Sequence, residues 1–217
     1  MSAVEIKICG IVRVEDALAA IESGTAMLGL NFYERSPRCI ALQRAQEIAE
    51  AVAGRAKLVG VFVNMNVSDV LRIARAVPLD AVQLHGDESR QECEAIAAEF
   101  EVIRALKVGA EFSAGRVSEF ACCRGLLLDT PSAAHGGSGK SFDWASVQWE
   151  SVRGALREAK MFLAGGLHAG NVSEAIAIAR PAVVDVCSGV EAAKGIKSAV
   201  RMHEFVAAVR AAERYGL

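Results

Sequence analysis

The chain has 217 residues, of which 53% are hydrophobic and 23% charged, and its formal net charge is −2. Such a length suits one domain, and a slightly acidic balance excludes the electrostatic footprint of a nucleic-acid-binding protein. No apolar stretch approaches ~18 residues, which excludes a membrane-spanning helix. Glu5 and Lys7 interrupt the first apolar run, unlike a secretory signal, so a cytoplasmic location is expected.

In chain order, the first apolar run is Val4–Cys9, ended by Gly10, and a helical stripe follows with Val14, Ala17, Leu18 and Ile21 over Arg13–Glu22. Ala26–Leu30 ends at Asn31 and precedes a helix over Gln43–Ala53, with Ala45, Ile48, Ala49 and Val52 on one face. Leu58–Val63 ends at Asn64, and the helix Val67–Ala76 offers Ser68 and Asp69 as caps. Ala81–Leu84 ends at His85 and leads into a helix over Glu88–Phe100. Val102–Leu106 ends at Lys107, with a helical segment expected after Val108. Gly125–Leu128 ends at Asp129, and a loop over Thr130–Lys140 with the core Gly136-Gly137-Ser138-Gly139 follows. Helical pattern resumes after Trp144, where Trp149 is placed to shield the barrel exterior. Met161–Ala164 ends at Gly165-Gly166 before a helix over Asn171–Ala179, and Ala182–Cys187 ends at Ser188-Gly189 before the last helix, Ser198–Arg214.

Short apolar runs without alternation fit strands buried on both faces, as in a parallel sheet. Eight of them separated by helical patterns predict an α/β fold, a single-domain (β/α)8 TIM barrel over residues 1–217. In that fold the C-terminal strand ends carry the site, so the residues that end the runs become the candidates.

Gly165-Gly166 and Ser188-Gly189 follow strands seven and eight, the loops that grip phosphate in this fold. Arg38, in the loop beyond strand two, carries a fork suited to a planar carboxylate. Cys9 and Asp129 end strands one and six, well apart around the ring. A thiolate there can accept a proton and a carboxylic acid can deliver one; taken singly, each also fits core filling or a turn. The six cysteines form no Cys-x-x-Cys pair and no His completes a zinc knuckle, so neither a metal site nor a disulfide framework is expected.

Several motifs occur in a telling order: Lys7-Ile8-Cys9-Gly10, Ser36-Pro37-Arg38, Gln83-Leu84-His85-Gly86-Asp87-Glu88, Leu127-Leu128-Asp129-Thr130, Leu163-Ala164-Gly165-Gly166-Leu167 and Asp185-Val186-Cys187-Ser188-Gly189-Val190-Glu191. Together they resemble the phosphoribosylanthranilate isomerase family of tryptophan biosynthesis. The resemblance implies an Amadori rearrangement of a small phosphorylated substrate, without cofactor, by a monomer or homodimer. It implies Asp129 as general acid, Cys9 as thiolate base, Arg38 on the substrate carboxylate, and Gly165, Gly166, Ser188 and Gly189 on the phosphate. Asp185 matches a position near the ligand's polar groups; His85 is given a wall of the cleft and no proton transfer. The chain departs from the common pattern at Asn31, where an aromatic or apolar residue is frequent, at Cys187, where Ser is usual, and at Lys194, where Pro is common. A related phosphoribosyl isomerase of histidine biosynthesis is disfavoured by Cys9 and by the unequal halves of the chain. A barrel that only binds a phosphorylated ligand is disfavoured by the intact Cys9 and Asp129 pair.

Overall fold

The computed structural model describes residues 3–109, 112–131 and 141–214, and the glycine-rich core of the expected loop, Gly136 to Gly139, lies outside them. Strands β1 (Glu5–Cys9), β2 (Met27–Asn31), β3 (Lys57–Phe62), β4 (Ala81–Leu84), β5 (Glu101–Lys107), β6 (Gly125–Asp129), β7 (Lys160–Leu163) and β8 (Val183–Val186) form a closed parallel barrel in sequence order. Between and after them lie α1 (Val14–Glu22), α2 (Leu42–Val52), α3 (Val67–Ala76), α4 (Arg90–Ala97), α5 (Ala114–Glu119), α6 (Trp149–Leu156), α7 (Val172–Ala179) and α8 (Ala199–Arg214). The expected barrel is the observed one.

The strands read as apolar throughout because each buries both faces. Ile6, Ile8, Leu28, Leu30, Val184 and Val186 face the helical ring, where they join α8 residues Phe205 and Val209 in one core. A second, smaller core fills the barrel interior with Met27, Val59, Ile103, Leu127, Phe162 and Val183. An eight-stranded barrel has just enough interior for such a layer. Phe162 occupies room left by Gly125, where an added Cβ would lie 2.7 Å from Phe162 Cε2. This layer separates the cleft at the upper rim from a smaller cavity at the strand starts, lined by Lys57, Glu101 and Lys160.

Local differences from the sequence expectation have capping explanations. Helix α3 is capped by Asn66, whose side chain accepts the Asp69 N–H, whereas Ser68 donates its hydroxyl to Asn66. Helix α4 begins at Arg90 rather than Glu88, because Ser89 and Glu92 form a reciprocal capping box. Glu88 instead turns inward and accepts the N–H groups of Asn64 and Gly86. Trp149 is buried on α6, as expected, and its indole N–H donates to the Trp144 carbonyl. The expected segment after Val108 is the short α5. A feature absent from the expectation is an antiparallel pair, β9 (Glu191–Ala193) and β10 (Ile196–Lys197), inserted between β8 and α8.

Candidate active site

Cys9, Arg38, Asp129, Gly165, Gly166, Asp185 and Ser188 all reach one cleft of about 270 Å³ at the C-terminal rim of the barrel. Of the residues nominated from sequence, only Gly189 stands behind the wall, packed so tightly that an added Cβ would lie 2.0 Å from the Leu167 carbonyl oxygen. The expected departures Asn31, Cys187 and Lys194 line the same cleft, joined by Tyr33, Arg35 and His85.

Beneath Cys9 lies a buried ion pair. Inward-facing residues alternate along β1, so Lys7 sits one layer below Cys9, and strand register places it beside Asp185 of β8. Lys7 is fully buried, and its Nζ donates to Asp185 Oδ2 at 2.8 Å. Burial works against the Lys7 charge, but Asp185 and then Cys9 outweigh it, and the ammonium is held above its ordinary pKa. Burial pushes the Asp185 carboxyl up to about 7, Lys7 opposing. Its other oxygen, Oδ1, is buried without a hydrogen-bond partner among the described residues, an acceptor available to a ligand in the cleft.

The Cys9 thiol is held well below its ordinary pKa. The largest influence is the neighbouring Cys187 thiol; burial resists, and Lys7, Lys197 and His85 add to the lowering. Cys187 moves the other way, its pKa raised by Cys9 and by burial. The two shifts run in opposite directions and favour ionisation of Cys9 over Cys187. The substitution of Cys for the usual Ser at position 187 supplies that neighbour.

Across the cleft, Asp129 Oδ1 accepts the Thr130 N–H at 2.7 Å, and Oδ2 lies 3.2 Å from His85 Nε2. His85 Nδ1 in turn lies 2.9 Å from Gln83 Nε2. His85, given only a wall by sequence, is therefore in direct contact with the candidate acid.

Arg38 is not a free fork. Its Nε and Nη2 donate to the two Glu191 oxygens at 2.7 and 2.8 Å, which raises its pKa further and leaves the Nη1 side of the guanidinium to the cleft. Glu191 also accepts from Lys197 Nζ at 3.1 Å, and Lys197 reaches the Cys187 carbonyl at 3.0 Å. The unforeseen β9–β10 hairpin thus supplies the partners that fix Arg38. The loop carrying Arg38 is also tied down by Asn31, whose amide accepts the Tyr33 N–H and donates to Ser36 Oγ; that hydroxyl accepts the Arg38 N–H. An apolar residue at position 31 could make neither amide bond.

On the opposite wall, Gly165 has φ +90°, and a Cβ there would strike Thr130 Oγ1 at 2.3 Å. Glycine lets the β7 loop approach the β6 end and leaves its backbone open to the cleft. What sequence reasoning missed here is Lys7, Gln83 and Glu191. Lys7 and Gln83 were legible as polar residues inside runs buried on both faces, where a polar group needs a partner.

An acidified thiol and a carboxyl in one barrel mouth, beside a cation and glycine loops, are the groupings of a barrel enzyme. The family model for N-(5'-phosphoribosyl)anthranilate isomerase matches residues 6–208. The N-(5'-phosphoribosyl)anthranilate isomerase of Stutzerimonas stutzeri is 45% identical over 212 residues, covering 97% of this chain and 99% of that protein. The crystal structure of phosphoribosyl anthranilate isomerase from Thermotoga maritima superposes with a TM-score of 0.88 at 39% identity, over 96% of this chain and 99% of that one. A phosphoribosyl anthranilate isomerase in complex with reduced 1-(o-carboxyphenylamino)-1-deoxyribulose 5-phosphate gives 0.85 at 37% identity, over 96% and 99% of the two chains. The chain belongs to the phosphoribosylanthranilate isomerase family, the isomerases of tryptophan biosynthesis.

Proposed function

We propose that the protein converts N-(5-phosphoribosyl)anthranilate to 1-(2-carboxyphenylamino)-1-deoxyribulose 5-phosphate by an Amadori rearrangement that needs no cofactor. The observation that carries this reading is that Cys9 and Asp129 line one cleft together with Arg38 and the Gly165–Gly166 turn. Asp129 protonates the furanose oxygen; the C1–O bond breaks and the nitrogen lone pair forms an iminium. The Cys9 thiolate takes the proton from C2, and that electron pair forms the C1–C2 double bond while the iminium electrons return to nitrogen. The enolamine then moves the C2 hydroxyl proton out and gains a proton at C1, giving the ketone.

The two ends of the substrate are held apart. Arg38 presents its Nη1 side to the anthranilate carboxylate, while Gly165, Gly166 and Ser188 hold the phosphate through backbone and hydroxyl donors. Fixing both ends leaves the ribose between acid and base, which removes much of the entropic part of the barrier. Asp185 Oδ1, buried and unpartnered, accepts a ribose hydroxyl. Asp129 must hold a proton when substrate binds.

Purified protein incubated with phosphoribosylanthranilate and a metal chelator should form the ketone product, detected by chromatography. Well-folded protein that shows no turnover would sink the assignment.

A further inference from the structure

The Gln83–His85–Asp129 chain does work that neither the family likeness nor the acid–base scheme assigns. Gln83 and His85 are two residues apart at the end of β4, so both point into the barrel. Gln83 is buried, and its amide nitrogen faces His85 Nδ1 at 2.9 Å. With the amide N–H₂ turned to the ring, Nδ1 is the acceptor and the ring proton sits on Nε2, while Gln83 Oε1 has no hydrogen-bond partner among the described residues. Nε2 itself lies 3.2 Å from Asp129 Oδ2.

We propose that Gln83 and His85 are positioning residues for the general acid: Gln83 fixes His85 as the neutral Nε2–H tautomer, and His85 holds the carboxylate that Asp129 becomes after giving up its proton. The inference rests on Asp129 being that acid. Oδ1 already accepts the Thr130 N–H, and Oδ2 is the oxygen that His85 Nε2 approaches. A lone pair on Oδ2 stays open toward the cleft for the transferable proton. A donor aimed at the conjugate base makes the acid stronger where the charge develops, without reorganising during the step. A neutral imidazole does this without adding a second proton that could compete for transfer.

Other charged groups around the pair are Cys9 of β1, Asp185 of β8 and Lys107 in register with Asp129 on β5. Asp87 and Arg104 stand on the outer side of His85. None of them contacts His85 Nδ1 in place of Gln83 among the described residues.

The direct test is nitrogen-15 NMR of the wild-type protein labelled at its four histidines, with His85→Gln assigning the His85 signals. Expected is a protonated Nε2 and an unprotonated Nδ1 at pH 7. A protonated Nδ1, or an imidazolium, overturns the proposal whatever the enzyme's activity. The kinetic arm uses His85→Leu, which should lower kcat about tenfold or more while KM stays nearly constant. His85→Gln, which offers an amide N–H near the Nε2 position, should recover most of the rate. Leu and Gln variants that are equally slow would show a structural role only and overturn the proposal. A wild-type protein without turnover refutes the isomerase reading instead, and the NMR result still decides the tautomer.

Discussion

Lys7→Met should be among the most destabilising single changes near the site, and its cost should grow with pH. Lys7 and Asp185 have side-chain exposures of 0% and 6% and meet at 2.8 Å. Removing one partner of such a pair leaves an uncompensated buried charge, which costs ~3–5 kcal/mol. The Asp185 carboxyl is already pushed up to about 7 by burial against the opposition of Lys7. Because that folded value lies above the unfolded one, the carboxyl's contribution to stability is full in acid and is lost as pH rises toward 7. Without Lys7 the folded value rises further and the loss continues above 7, so the deficit at pH 8 should exceed that at pH 6. Urea unfolding followed by the fluorescence of Trp144 and Trp149, both buried, reads the difference. Replacing both partners, as Lys7→Met with Asp185→Leu, should recover most of the stability, since an apolar pair of similar volume leaves no charge to solvate. A single-variant deficit under ~1 kcal/mol, a deficit equal at the two pH values, or a double variant as unstable as the single would each refute the reasoning.

Three further changes probe the same rim. Cys187→Ala removes the neighbour that lowers the Cys9 pKa most, so the thiol should ionise later and the acid limb of kcat/KM should shift to higher pH; an unmoved limb contradicts the thiol pairing. Asn31→Val deletes both amide bonds that hold the Arg38 loop, and it should raise KM several-fold with a smaller effect on kcat, in steady-state assays. Gly189→Ala would force a Cβ to within 2.0 Å of the Leu167 carbonyl, so it should destabilise by at least ~1–3 kcal/mol in the same urea assay, and a neutral result would show that the β8 loop can yield.

The barrel was legible because buried parallel strands write themselves as apolar runs, and all eight fall within a few residues of their expected bounds. The β9–β10 hairpin was not, since segments of three and two residues with Glu191 and Lys197 among them carry no periodic signal. That omission mattered chemically: without the hairpin Arg38 reads as a free cation, whereas Glu191 holds half of its fork. Lys7 was visible only as an interruption of the first run. Its meaning emerges from closure, because joining β1 to β8 sets Lys7 opposite Asp185 in register. His85 was placed correctly at a strand end, yet its contact with Asp129 joins β4 to β6 across β5, a relation no local pattern records.

The central claim is that Cys9 and Asp129 move the protons. Its most direct measurement is kcat at saturating phosphoribosylanthranilate for Cys9→Ala and Asp129→Asn beside the wild type, with folding verified by circular dichroism. The account predicts that each variant loses ~10²-fold or more, the usual worth of a positioned acid or base. A folded variant of either residue that turns over at the wild-type rate would contradict it.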